Sequence, residues 1–372
     1  TDDTVSPSAT EACTDLIDPA WLVDLANGKV MPERNGVVPP WQQVPDEAKV
    51  SLSTLRRSEM GYKLPVGVLS YGWAAKGHPD PTGSLLQRLK PVLEAMVHSC
   101  EHGIFGDGDQ KPAAWGIVWD YMSLPQRGRT TGYDKDKDDR TPYEQARFIK
   151  GLKSINVWYG HPLVTTLICD FPMPEGALNS APIERRGWCI FERRLSSVRK
   201  DGNCCLNLSG LARVNGPRWL DLVIACTAGR FAPQAPDAFE AMLKAGMERE
   251  AAEAGSGFRF TNGKDATAIC IPQYKEGFLR LMAKEGPLIF QECGWGDAEV
   301  AELSATLREV PCPHVVTLSL RGSRLCSAEA LSGIFCELKA LTSLGLYNCK
   351  GLTALPNTIG ELKALRWLNM SS

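Results

Sequence analysis

From Leu64 onward, short apolar runs alternate with amphipathic stretches, the pattern of a parallel sheet wrapped by helices. Four runs, Pro65 to Ser70, Gly116 to Tyr121, Val164 to Asp170 and Cys204 to Leu208, are apolar enough for strands buried on both faces. Between the first two, Leu85, Leu89, Val92, Leu93 and Met96 recur at helical spacing over Ser84 to Val97, with Pro91 predicted to kink the helix. Between the second and third, Thr141-Pro142-Tyr143-Glu144 reads as a capping box with proline at the first helical position, followed by a stripe of Phe148, Leu152, Ile155 and Tyr159. A third helix, from about Glu184 to Arg199, leads to the fourth strand. The order is βαβαβαβ, that of an open α/β domain placed at 61–210.

Residues 1–60 precede it as an irregular, partly helical segment, with Asp18 and Pro19 starting one short helix and Pro39, Pro40 and Pro45 in connecting chain. Residues 211–290 read as a mainly helical connector: an apolar stretch from Trp219 to Thr227, helices over Asp237 to Ala254 and Gln273 to Ala283, and a loop from Gly255 to Asp265.

The last stretch, 291–372, repeats. Glu337-Leu338-Lys339-Ala340-Leu341 recurs as Glu361-Leu362-Lys363-Ala364-Leu365, and Leu344 and Leu346 become Leu368 and Met370. Leu341-x-x-Leu344-x-Leu346-x-x-Cys349 fits the leucine-rich repeat template, in which the strand leucines point inward. Leu352, Leu355, Pro356 and Ile359 resemble the plant-type variant of that repeat, although Gly351 stands where the generic template has leucine. Val315-x-x-Leu318-x-Leu320 fits an earlier strand, with Asp297 to Arg308 as its preceding helix, so at least three strands are expected. The resemblance implies a solenoid with a concave face for a protein ligand.

Composition narrows the partners. With 44% hydrophobic and 23% charged residues, the 372-residue chain suits two or three globular domains. A net charge of -2 without a basic cluster argues against nucleic acid. The 13 cysteines are odd in number and irregularly spaced, without a Cys-x-x-Cys pair, and read as reduced thiols. Thr1 to Asp18 is polar and acidic rather than signal-like, and no apolar run reaches membrane-spanning length, so a cytoplasmic protein without membrane contact is expected. The missing initiator Met and the stop within a repeat at Ser372 read as marks of a fragment or processed form.

The sharpest local motif is Trp188-Cys189-Ile190-Phe191-Glu192, at the start of the third helix. In that place it resembles the Trp-Cys-x-x-Glu signature of TIR (Toll/interleukin-1 receptor) domains, with Arg193 where plant members have leucine. The resemblance covers about Leu64 to Leu208 and implies a flavodoxin-like open sheet. The chain as a whole is similar to protist proteins that join a divergent TIR-like domain to leucine-rich repeats, with fungal incompatibility domains as a further relative. In catalytic TIR domains the glutamate at the position of Glu192 is central to cleavage of the nicotinamide-ribose bond of NAD, a substrate there and not a cofactor. A carboxylate beside an oxocarbenium-like ribose would stabilise the developing charge. Trp188 shares the helical face of Glu192 and would wall the pocket. Further substrate-binding candidates lie at the carboxyl ends of the first two strands: Ser70, Tyr71, Gly72 and Trp73, then Asp120, Tyr121 and Ser123.

Two readings of the motif stay open, an NAD nucleosidase and a non-catalytic adaptor that self-associates through the TIR-like domain. A plain structural role is a third, with Glu192 solvated and paired to Arg185, Arg186 or Arg199 and Trp188 a core anchor. Other motifs carry less. Gly257 to Asp265 has a glycine one residue too early for a phosphate-binding loop, and Asp265 replaces its Ser or Thr. In Gly67-Val68-Leu69-Ser70-Tyr71-Gly72, Val68 occupies the first glycine position of a nucleophile elbow, leaving a serine hydrolase a distant alternative. His98, Cys100 and His102 have no downstream partner, and no metal is expected. The loop Arg127 to Arg140 is read as solvated, with Arg127 and Arg129 the residues that could touch phosphate.

Overall fold

The computed structural model describes residues 13–57, 64–75, 77–104, 111–128, 138–177, 180–324 and 327–370. The chain is α/β, and its strand pairs are parallel. Strands β1 (Val66–Ser70), β2 (Gly116–Val118), β3 (Thr165–Ile168) and β4 (Cys205–Asn207) fall in the four apolar runs. They are followed by β5 (Leu288–Ile289), β6 (Thr317–Ser319), β7 (Ser343–Gly345) and β8 (Trp367–Asn369). Two compact units form: Thr1–Trp158 with Leu163–Pro182 and Asn207–Cys226, and Tyr159–Pro162 with Ile183–Leu206 and Thr227–Ser372.

In the first unit β1 lies between β2 and β3, registered Val66 to Gly116 and Gly67 to Thr165. Every residue of these three strands is buried, as continuous apolar runs covered on both faces require. The helix Ser84–His102 connects β1 to β2 and buries Leu86, Leu89, Val92, Leu93 and Met96. Leu86 thus takes the core place expected for Leu85, which is half-buried, and the helix continues through an exposed Pro91. The helix Pro142–Lys153 begins at the expected capping box: Glu144 N donates to Thr141 Oγ1 at 3.2 Å and Thr141 N donates to Glu144 Oε2 at 2.6 Å. At the outer edge of the sheet, Ile17 and Ile117 exchange backbone hydrogen bonds of 2.9 and 2.8 Å. The early segment therefore covers an edge that would otherwise offer unpaired backbone groups.

In the second unit β5, β6, β7 and β8 stack in sequence order, with Leu288, Leu318, Leu344 and Leu368 in register. The helices Asp297–Glu309 and Ala328–Glu337 fill two of the connections and pack on each other. Leu318, Leu320, Leu344 and Leu346 are buried, whereas Leu368 and Met370 in the last strand are 41% and 42% exposed. The alternate positions Ser343 and Tyr347 share the opposite side with Trp367, which pairs with Ser343 and is 73% exposed. At the other end, Phe290 and Trp295 stack at 4.6 Å, and the Trp295 indole N–H donates to Arg230 O at 2.6 Å.

Candidate functional site

The first unit holds a shallow cleft where β1 and β3 end, the position at which parallel sheets take ligands. Tyr71 and Gly72 line it from β1, Cys169 and Phe171 follow β3, and Asp80, Ser84 and Arg88 surround the start of the helix Ser84–His102. Asp80 is committed to capping that helix, accepting from Leu86 N at 3.0 Å and Ser84 Oγ at 3.3 Å. Arg88 donates to Pro172 O at 2.6 Å and lies over the Phe171 ring.

Four of the residues proposed from sequence meet beside this cleft. Tyr71 Oη donates to Asp120, whose Oδ1 also accepts from Tyr121 N at 2.7 Å. The Trp73 side chain is a third donor to the same carboxyl. Burial holds this carboxyl above the ordinary range despite its donors, and burial pushes the Tyr121 phenol up to about 12. Trp73 meets the Tyr121 ring edge-on at 5.7 Å, and His78 lies against it at 4.7 Å. His78 Nδ1 accepts from Asp80 N at 3.0 Å while Nε2 faces Val38 O at 3.2 Å, an arrangement that suits a neutral ring protonated at Nε2. Burial accordingly lowers the pKa of this imidazole.

Ser70 and Ser123 are both fully buried. Ser123 Oγ accepts from Trp119 N at 3.0 Å and closes the turn that follows β2. Ser70 Oγ has no hydrogen-bond partner among the described residues.

Trp188 and Glu192 belong to the second unit, on the helix Gly187–Ser196. The sequence enters this helix through a short β-like contact, with Arg259 N donating to Arg185 O at 2.7 Å and Gly187 N to Arg259 O at 3.0 Å. Gly187 is required there, since a Cβ would stand 2.0 Å from the Phe260 ring. At the next residue, Trp188 Nε1 donates to Asp265 Oδ2 at 3.1 Å, and Asn262 Nδ2 donates to Asp265 Oδ1 at 2.7 Å. Burial raises the Asp265 carboxyl above its ordinary range. Glu192 is half-buried on the same face. Burial, with Glu192, Asp265 and Cys189 adding negative charge, pushes the Cys270 thiol well above its usual pKa.

Two arginines expected beside Glu192 have other roles. Arg185 pairs with Glu250 at 2.9 Å, and Arg199 donates to the carbonyls of Leu281, Lys284 and Pro287 at the end of the helix Ile271–Met282. Asp265, Asn262 and Cys270 are the neighbours that sequence reading missed. Asp265 was noticed only as the wrong residue for a phosphate-binding loop, and nothing local links it to Trp188.

Arg127 and Arg140 both pair with Asp138, and the Arg140 hydrogen bonds hold this carboxyl down at about 2. Arg129 lies outside the described residues, as do positions 134–137 of the same loop. Among the described residues, no group of three or more His, Cys, Asp or Glu side chains is placed to hold a metal, and no helix is long and apolar enough to cross a membrane.

No protein family, curated protein or solved structure matches the chain.

Proposed function

We propose that this chain is an intracellular recognition and signalling protein in which a TIR-like α/β domain is joined to leucine-rich repeats that bind a partner protein. The observation that supports this reading best is the coincidence of sequence repeat and strand register: Leu318, Leu344 and Leu368 stack in parallel strands. Such a stack buries one side and leaves the alternate side chains for a ligand. Thr317, Ser343 and Trp367 share that side, with Arg321 over the Tyr347 ring at 5.1 Å.

Photocross-linking tests the reading. A cross-linker at Ser343 should trap one defined protein, lost on Tyr347→Ala or Trp367→Ala. One at Glu329, on the helical side, should trap none. Equal trapping from both sides would sink the proposal.

A second reading is favoured by Glu192, half-buried on the same helical face as Trp188. In it the TIR-like domain cleaves NAD at the nicotinamide-ribose bond, with the Glu192 carboxylate stabilising positive charge on the ribose. Nicotinamide release from NAD by the full chain, abolished in Glu192→Gln and in Glu192→Ala, would support the enzyme. Intact NAD at high protein concentration would leave the adaptor reading, in which the domain serves self-association.

A further inference from the structure

We infer that Arg34 and Tyr121 form a binding site for a tetrahedral oxyanion, a free phosphate or the phosphoryl group of a larger ligand, where β1 and β2 end. Tyr121 follows β2, and Arg34 comes from the segment that precedes the sheet. Both belong to the first unit.

The early chain is laid across the loops that follow these two strands. Val38 O faces His78 Nε2 at 3.2 Å. Gln42 Nε2 donates to Gln126 O at 2.6 Å, and Gln126 N donates to Gln42 Oε1 at 3.2 Å. Gly83 is needed where the same segment meets the helix Ser84–His102, since a Cβ would stand 2.8 Å from Gly36 O. Within the segment, Pro32–Arg34 is a single turn bounded by Met31 and Asn35, two non-glycine residues in the left-handed region at φ 45° and 50°. Arg34 Nη2 donates to Gln43 Oε1 at 2.8 Å, which fixes the guanidinium on this loop.

Two donors are left over. Arg34 is half-buried, its Nε is buried without an acceptor, and among the described residues no carboxylate pairs with its guanidinium. Tyr121 is 6% exposed, and its hydroxyl donates to no group among the described residues. Burial is the main influence on Tyr121 and His78, raising the phenol and lowering the imidazole, but the Arg34 charge acts on each as well. The guanidinium therefore stands near both rings, which lie 4.7 Å apart.

The neighbouring acids have other work. Asp80 caps the helix Ser84–His102, and Asp120 accepts from Tyr71 Oη and Tyr121 N while burial favours its neutral form. A guanidinium with a free N–H edge matches the oxygens of phosphate, and the Tyr121 hydroxyl can donate to a further oxygen of the same group. Trp73, edge-on to Tyr121 at 5.7 Å, gives an apolar flank for an organic group carried by that phosphate.

Isothermal titration calorimetry of the full chain with inorganic phosphate and with phenyl phosphate, in chloride buffer of fixed ionic strength, tests the site. Wild type should bind both. Tighter binding of phenyl phosphate marks an esterified ligand, and equal or weaker binding marks free phosphate. Arg34→Gln should weaken phosphate binding at least about tenfold and Tyr121→Phe about three- to tenfold, the worth of a charged and of a neutral hydrogen bond. Arg34→Lys keeps the charge without the planar fork and should fall between wild type and Arg34→Gln. Arg127→Gln, at an arginine already paired with Asp138, should bind as wild type does. Matching urea midpoints would separate loss of the site from loss of the fold. Absence of phosphate binding in wild type, or equal affinity in wild type and a folded Arg34→Gln or Arg34→Lys, overturns the proposal.

Discussion

The indole N–H of Trp188 donates to Asp265 Oδ2 at 3.1 Å, joining residues 77 positions apart. Asp265 is half-buried, so each donor it keeps offsets part of the cost of burying its charge. Trp188→Phe retains the ring and deletes the donor. It should destabilise the second unit by about 1 to 3 kcal/mol. Urea denaturation of Trp188→Phe, Asp265→Ala and the double variant checks the assignment. Additive losses would mean that the two side chains do not act on each other.

The same helix depends on a residue with no side chain. Gly187→Ala places a methyl group 2.0 Å from the Phe260 ring, and the helix start, pinned to Arg259, cannot retreat freely. We expect a loss of about 1 to 3 kcal/mol, as for overpacking elsewhere. Phe260→Leu added to Gly187→Ala should recover part of that loss although it is itself a truncation. A double variant less stable than Gly187→Ala would refute the contact.

Strand positions were legible in the sequence because burial on both faces demands uninterrupted apolar runs, and β1 to β4 fall where those runs stand. The strand repeats were legible for a related reason: each turn of chain solves the same packing problem with the same leucines. β5 was not, because Leu288 and Ile289 are a two-residue strand that follows Pro287 and has no full template around it. The meeting of Tyr71, Trp73, Asp120 and Tyr121 was legible as proximity, since all follow neighbouring parallel strands. The surroundings of Glu192 were not. Arg185 is on the same stretch of chain yet pairs with Glu250, and the choice between partners is made by packing 65 residues away.

Leu344 and Leu368 occupy the same repeat position and pair in register, but only Leu344 has a neighbour on both sides. Leu344 is 1% exposed and Leu368 is 41% exposed. Leu344→Ala should therefore cost about 2 to 5 kcal/mol, in the range of buried leucine truncations. Leu368→Ala should cost less than about 1 kcal/mol, since much of its surface stays in water. Thermal denaturation of the two single variants decides the matter. Equal losses would show that the final strand is covered in solution.

Asp120 gives the first unit a defined pH response. Burial holds its carboxyl above the ordinary range in the folded chain, even with Tyr71, Trp73 and Tyr121 N donating to it. The folded protein therefore keeps the Asp120 proton to higher pH than the unfolded chain, whose carboxyl titrates near about 3.9. The stability that this proton linkage contributes is fully present below the unfolded value and is lost as pH rises through the raised folded value. Asp120→Asn removes the titration while keeping one acceptor oxygen for the three donors. Urea midpoints of wild type and Asp120→Asn, measured from pH 4 upward, should therefore show a wild-type advantage that shrinks as the pH rises across that window and then levels off. An advantage that grows with pH would mean that the donors outweigh burial and that the carboxylate, not the carboxylic acid, is the form the fold prefers.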